Sequence, residues 1–255
     1  SVSHLIVSTN KPHREEVDLP FISHMPNLEI WKDGITKSFN PNLIGKSGQR
    51  EIEVNSYGRV IREISRQDSQ KGNDIQITID LRIQQYALNL LKEHKAVSAV
   101  LMDINNGNIL CMASTPSYNP NKIIKKPNKE YWDSILENEL SPFTYRCIQG
   151  LYAPGSTFKM VVAIAGIVHG AIDTNTKHFC SGKIGLGDRL YHCWKNNGHG
   201  SMNVSDAIKE SCDVFFYEIS KKIGIDKIAK VAEDFGLGKI YDVPLPNQKK
   251  GIIPS

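Results

Sequence analysis

The chain has 255 residues, 40% hydrophobic and 23% charged, with a formal net charge of +4. That length buries a sizeable core and suits one large domain, or one with an appendage, and the composition is that of an ordinary globular protein. No apolar run reaches the roughly 18 residues that a bilayer span needs, no signal-peptide pattern is present, and the charge fits a solvated basic face better than a surface beside anionic lipid or polymer, with no nucleic acid expected as partner.

Residues 1–50 carry clustered Pro, Asn, Lys and Gly without a sustained helical period. Two alternating runs follow, Glu51-Ile52-Glu53-Val54 and Arg59 to Ile64, and the turn Asn55 to Gly58 between them predicts a β-hairpin. Residues 1–72 therefore form a small β-rich appendage, closed by the polar boundary Lys71-Gly72-Asn73-Asp74. Residues 73–255 form the main domain. Ile75 to Ile79 predicts a short strand, and Asp80 caps a helix over Leu81 to His94 with Ile83, Tyr86, Ala87, Leu90 and Leu91 on one face. Ala96 to Asp103 and Asn108 to Ser114 form a second hairpin through Asn105-Asn106-Gly107. A polar excursion, Pro116 to Pro142, includes the basic loop Lys122 to Lys129. Helix, hairpin and further helices predict an α+β domain, an antiparallel sheet between helical layers.

The segment Tyr152-Ala153-Pro154-Gly155-Ser156-Thr157-Phe158-Lys159 carries the chemistry. Pro and Gly break the preceding chain, and Ser156 opens a helix to about Val168 that is apolar almost all round, the pattern of a helix buried on every side. Ser156 and Lys159 are three residues apart, which places them on one helix face. Burial lowers a lysine's proton affinity, so that a neutral amine can take a serine's proton, while the helix N-terminus favours a developing oxyanion. Four residues of Ser-x-x-Lys alone would be read as a helix cap with a solvated lysine. Pro-Gly ahead and the apolar helix behind favour a nucleophile and its base.

Ser211-Cys212-Asp213 is the candidate for a second polar arm, although in isolation it is an ordinary interhelical cap. Together the two motifs resemble the penicillin-binding and β-lactamase superfamily, with its S-x-x-K, S-x-N or S-x-D, and K-T-G signatures. The blocks "EVNSYGRVIRE", "ITIDLRIQQYAL", "AVLMDINNGNILCMASTPSYNPN", "YAPGSTFKMVVAIAGI" and "SCDVFFYEISKKIGID" are closer still to the penicillin-binding protein 2 family, over roughly residues 48–255. These are the monofunctional class B D,D-transpeptidases of bacterial cell elongation.

The resemblance implies a penicillin-binding, β-lactamase-like α/β sandwich on a β-rich pedestal. It implies that Ser156 attacks the penultimate D-Ala carbonyl of a peptidoglycan stem peptide, with Lys159 as proton acceptor and Ser211 and Asp213 as the S-x-D arm. β-Lactams, which mimic D-Ala-D-Ala, would leave Ser156 acylated. It further implies a membrane glycosyltransferase as partner and a place on the periplasmic face of the inner membrane, held by an N-terminal anchor upstream of Ser1. There are two departures. No Lys-Thr-Gly or Lys-Ser-Gly follows Ser211; that strand supplies one wall of the family's site, so the chain by itself is expected to be inactive, its domain incomplete at the C-terminal side. The run "IGKSG" passes directly into "QREIEVN", so the pedestal is abridged relative to the family.

Cys180, Cys193, His199 and Cys212 follow C-x12-C-x5-H-x12-C. Three thiolates and an imidazole make a tetrahedral zinc set, and a structural metal would compensate for the poor apolar content of the loop Ser181 to Gly200. A disulfide of an oxidising compartment and packed free thiols are the competing readings. His178 and His192 flank the set as substitutes for His199. No cofactor is expected for the chemistry itself. Cys111 and Cys147 read as packing residues, Trp194 as an anchor for the loop, Phe215, Phe216 and Tyr217 as core, and Asp103 as a turn residue. Two rival functions remain open: a serine β-lactamase or penicillin sensor with the same S-T-F-K motif, and a non-catalytic scaffold.

Overall fold

A computed structural model describes residues 2–7, 9–16, 28–124 and 128–254. The chain divides into two compact units, Ser1–Gly150 with Asp242–Gln248, and Leu151–Tyr241 with Lys249–Ser255. The composition break at Lys71 to Asp74 lies inside the first unit. All strand pairing among the described residues is antiparallel, in five two-stranded ribbons, and helices supply the rest of an α+β architecture. No helix of the described residues is long and apolar enough to cross a membrane.

In the first unit, Thr9–Asn10 pairs with Ile30–Trp31, and two short helices, Gly34–Ser38 and Asn40–Leu43, follow where the sequence showed no helical period. The buried amide of Asn40 ties this corner, accepting from the Trp31 N–H at 3.1 Å and donating to its carbonyl at 2.9 Å. The expected hairpin is a ribbon of Gln49–Val54 and Val60–Gln67, longer than the alternating runs suggested. Asn55 closes its turn by accepting from the N–H groups of Tyr57 and Arg59, both at 3.0 Å.

Asp80 caps the helix Leu81–Leu91, accepting from the Arg82 N–H at 2.8 Å and the Ile83 N–H at 3.3 Å. The expected strand Ile75 to Ile79 is absent. Its end is instead held by isolated bonds, Thr78 Oγ1 to the Ile109 carbonyl at 2.6 Å and the Asp80 N–H to the Leu110 carbonyl at 3.0 Å, too few for a ladder. The buried helix face also differs from the expected one. Gln84 and Leu88 are buried with Ile83, Ala87 and Leu91 beside them, while Tyr86 and Leu90 are exposed. Gln84 explains the rotation: its amide accepts from the Met112 N–H at 2.8 Å and donates to the Met112 carbonyl at 2.9 Å, turning a polar residue inward.

That contact docks the helix on the hairpin Val97–Met102 and Ile109–Thr115. Cys111 and Ala113 pack toward the helix, and Met112 packs with Tyr145, Ile148 and Leu5, so this small sheet has apolar partners on both faces. The region Pro116 to Pro142 contains two helices the sequence did not suggest, Pro120–Ile124 and Lys129–Leu136, and residues 125–127 of the basic loop lie outside the described residues.

The second unit is built on three helices, Lys159–Val168, Asp213–Ile223 and Ile225–Asp234, whose core includes Val162, Ala165, Phe215, Ile219 and Ile228. Within this chain the Ser156 helix is enclosed on one face only. Val162, Ala163, Ala165 and Gly166 are buried, but Met160, Ile167 and Val168 are exposed. The neighbouring helices cover only one face of it. Before the helix Asp213–Ile223 come two small ribbons, His178–Cys180 with Gly200–Met202 and Lys183–Leu186 with Arg189–His192. Their crossing requires glycine. A Cβ on Gly182 would lie 2.1 Å from the Asn196 carbonyl oxygen and one on Gly198 2.1 Å from that of Cys180, both at positive φ.

Candidate active site

Ser156 lies in a 3-10 turn, Gly155–Phe158, that runs straight into the helix Lys159–Val168. Thr157 tightens the turn by donating to the Pro154 carbonyl at 2.6 Å. This places Lys159 at the helix start, with its side chain only 14% exposed. All three of its partners are acceptors, matching the three N–H donors of an ammonium: Asp213 Oδ1 at 2.6 Å, the Ser211 carbonyl at 2.8 Å and Ser211 Oγ at 2.9 Å.

Ser211 Oγ in turn donates to Ser156 Oγ at 2.9 Å. A continuous polar chain therefore runs Ser156, Ser211, Lys159, Asp213. The sequence suggested a direct serine–lysine pairing one helical turn apart; the geometry inserts the Ser211 hydroxyl between them. A hydroxyl both donates and accepts, so Ser211 can pass a proton from Ser156 toward Lys159.

Burial alone would raise the Asp213 carboxyl. The Lys159 ammonium and the Trp194 backbone N–H, 3.0 Å from Oδ2, outweigh it and hold the group below the usual carboxylate range. Asp213 is thus a fixed negative charge beside the lysine. Phe216 adds an aromatic face 5.9 Å from the lysine nitrogen.

Ser211 has φ 51°, the left-handed region. It ends the helix Val204–Lys209, with its own N–H on the Ile208 carbonyl at 3.1 Å and the Cys212 N–H on the Ala207 carbonyl at 2.9 Å. That is a Schellman ending, in which glycine usually takes this place. A serine here costs conformational energy and in return presents its hydroxyl between Ser156 and Lys159. The sequence carried no signal for it. An open groove of about 460 Å³ adjoins the cluster, walled by Phe158, Val162, Phe216, Tyr217 and Ile228.

The four candidate metal ligands also converge. One ligand atom each from Cys180, Cys193, His199 and Cys212 lies within 4.8 Å of the others. A tetrahedral zinc ion with bonds of about 2.3 Å holds its ligands roughly 3.7 Å apart, and His199 Nδ1 stands 3.6 Å from Cys180 Sγ and 3.5 Å from Cys193 Sγ. Burial raises Cys193, but the N–H groups of Lys195, Asp213 and Val214 outweigh it and favour its thiolate. Burial, followed by the nearby thiols of Cys180 and Cys193, pushes Cys212 up to about 12. Three buried sulfurs and an imidazole nitrogen at this spacing fit the donor set of a divalent metal. No disulfide is formed, and His178 stands instead against Phe215 with ring centroids 5.4 Å apart.

Residues 97–255 match the penicillin-binding protein transpeptidase domain, and residues 1–77 the penicillin-binding protein dimerisation domain. The chain belongs to the penicillin-binding protein transpeptidase family. The peptidoglycan D,D-transpeptidase MrdA of Escherichia coli K12 is 33% identical across all of this chain, which spans 41% of that relative. A Helicobacter pylori penicillin-binding protein 2, solved in complex with MreC, superposes with a TM-score of 0.89 at 29% identity, over 99% of this chain and 47% of that one. The Pseudomonas aeruginosa penicillin-binding protein 2 solved with WCK 5153 gives 0.82 at 27% identity, over 100% of this chain and 52% of that one. The chain thus spans about two-fifths of the length of the curated relatives it matches.

Within this transpeptidase fold, Phe215 and Phe216 are core as expected, whereas Tyr217 is half-exposed and reaches the groove. Trp194 anchors the loop that carries Cys193, and Asp103 serves the hairpin turn by accepting from the Asn105 N–H at 2.9 Å.

Proposed function

We propose that the whole protein, of which this chain is the nucleophile-bearing part, is a peptidoglycan D,D-transpeptidase that works through an acyl-enzyme on Ser156. The observation that carries this reading is the hydrogen-bonded chain Ser156–Ser211–Lys159–Asp213 beside an open groove. Ser156 Oγ attacks the penultimate D-Ala carbonyl of a stem peptide. With Lys159 as the free amine, its ammonium proton given up to solvent, the Ser156 proton passes through the Ser211 hydroxyl to that amine and then to the nitrogen of the departing terminal D-Ala. A stem-peptide amine from a neighbouring strand takes the acyl group and frees Ser156. Asp213 orients Lys159 and balances its charge between steps. A β-lactam enters the same first step and remains as an ester of Ser156. In the family a Lys-Thr-Gly or Lys-Ser-Gly strand supplies the opposite wall of the site, and none follows Ser211 in this sequence.

The test is labelling of the full-length protein with a fluorescent penicillin. Ser156→Ala abolishes the adduct, and in the wild type the adduct persists for many minutes. Release within seconds would make the protein a β-lactamase instead, and labelling that survives Ser156→Ala would remove the assignment.

A structural zinc ion, held by Cys180, Cys193, His199 Nδ1 and Cys212, forms part of this proposal. It would supply a rigid link between the loop and Cys212, the middle residue of the S-x-D arm, and no chemistry of its own. Elemental analysis should find about one zinc per chain, and clearly substoichiometric zinc with or without reductant excludes it. By family resemblance the protein acts on the periplasmic face of the inner membrane beside a membrane glycosyltransferase. Co-purification of the two from membranes, or its failure, tests that partnership.

A further inference from the structure

Trp194 is 62% exposed, yet both of its nitrogen donors are engaged. Its indole N–H donates to the Glu210 carbonyl at 2.9 Å, and its backbone N–H donates to Asp213 Oδ2 at 3.0 Å. Glu210 immediately precedes Ser211, and Asp213 follows it by two. One residue of the cysteine-bearing loop therefore grips the S-x-D arm on both sides of its serine. Its ring also packs edge-on against His199, with centroids 5.2 Å apart.

The two ends of this grip do different work. The Schellman bonds hold the backbone of the turn from the helix side but leave the Glu210 carbonyl free to tilt. The indole takes that carbonyl and keeps Ser211 at its left-handed φ of 51°. The carboxylate of Asp213 has two oxygens to place. With Oδ2 fixed on the Trp194 N–H, Oδ1 faces Lys159 at 2.6 Å. Side chains used in chemistry are effective when neighbours restrict their rotamers in this way.

We propose that Trp194 is a positioning residue for acylation: it locks the Ser211 turn and aims the Asp213 carboxylate at Lys159. The proposal rests on the acyl-enzyme reading above. Trp194 acts through Glu210 and Asp213 and is not itself a catalytic residue.

The test uses the full-length protein and rapid-mixing acylation by a fluorescent penicillin, resolving the non-covalent dissociation constant from the first-order acylation rate. Trp194→Phe keeps a ring but deletes the indole donor. The acylation rate should fall about five- to ten-fold, as expected for one lost orienting hydrogen bond, with the dissociation constant within about two-fold and the thermal midpoint unchanged. A second pair holds bulk nearly constant: Trp194→Gln retains an N–H donor and Trp194→Leu does not. The Gln variant should acylate faster than the Leu variant. Equal rates in that pair, a Phe variant within about two-fold of wild type, or a fall in affinity and thermal midpoint alongside the rate would each overturn the proposal. Wild-type protein that penicillin fails to label at Ser156 would instead remove the acyl-enzyme reading.

Discussion

Four of the five cysteines are almost equally buried, yet their surroundings differ between the two units. Cys111 in the first unit is 1% exposed; Cys180, Cys193 and Cys212 in the second are 2%, 2% and 0%. Around Cys111 lie Leu88, Ala113 and Ile83, and burial raises its thiol above the usual range. The partly buried Cys147 points its sulfur at the Ala113 carbonyl, 3.3 Å away, and burial, then Cys111, pushes it up to about 12. A carbonyl accepts and so favours the protonated thiol. Cys193 instead meets three backbone N–H groups, which favour the thiolate. Burial alone does not set the direction: Cys193, among backbone N–H groups, is lowered, whereas the equally buried Cys212 is raised.

The sharpest way to break this contrast is Cys212→Ser. If the second set holds a metal, this change should cost on the order of 3–5 kcal/mol, lose the zinc, and slow penicillin labelling through the adjacent Ser211 and Asp213. Denaturant titration with parallel metal analysis checks it. A loss under about 1 kcal/mol would place these cysteines with the inert pair. Cys111→Ala removes only a packed sulfur, and a loss of about 1–2 kcal/mol with unchanged labelling is expected from the same titration.

The smallest effect is on pH dependence. Cys147 has its folded value raised from the ordinary 9.0 to about 12. Its contribution to stability is therefore fully present below pH 9 and is lost as pH rises toward 12, because the unfolded thiol ionises first. In Cys147→Ala the decline of the unfolding midpoint above pH 9 should be shallower than in the wild type. An identical slope would show that the Cys147 environment differs little from water.

Much of this was readable from residue order. The Asp80 cap, both hairpins, the convergence of C-x12-C-x5-H-x12-C and the loop-anchoring role of Trp194 follow from local chemistry that spacing records. What the spacing does not record is which of several apolar stripes faces a partner. Tyr86 and Leu90 looked as suitable for burial as Ala87, and only the inward amide of Gln84 breaks the tie. The helix after Ser156 reads as enclosed because its apolar residues run all round, and within this chain its neighbours cover one face. Ser211 was legible as a polar arm and illegible as a left-handed residue, since that position in a helix ending normally signals itself with glycine. For the same reason its hydroxyl, rather than the lysine amine, was not foreseen as the neighbour of Ser156.

The ribbon Gln49–Val54 with Val60–Gln67 has a different lesson in it. Nearly every one of its residues is exposed, and it lacks a core of its own. Cross-strand ion pairs, Arg50 with Glu63 at 2.6 Å and Arg62 with Glu53 at 2.5 Å, stand where a buried face would otherwise be. Such solvated pairs contribute at most about 1 kcal/mol each, too little to hold two strands rigid. The ribbon therefore opens far more often than the helical core unfolds, and its backbone amides trade hydrogen for deuterium early.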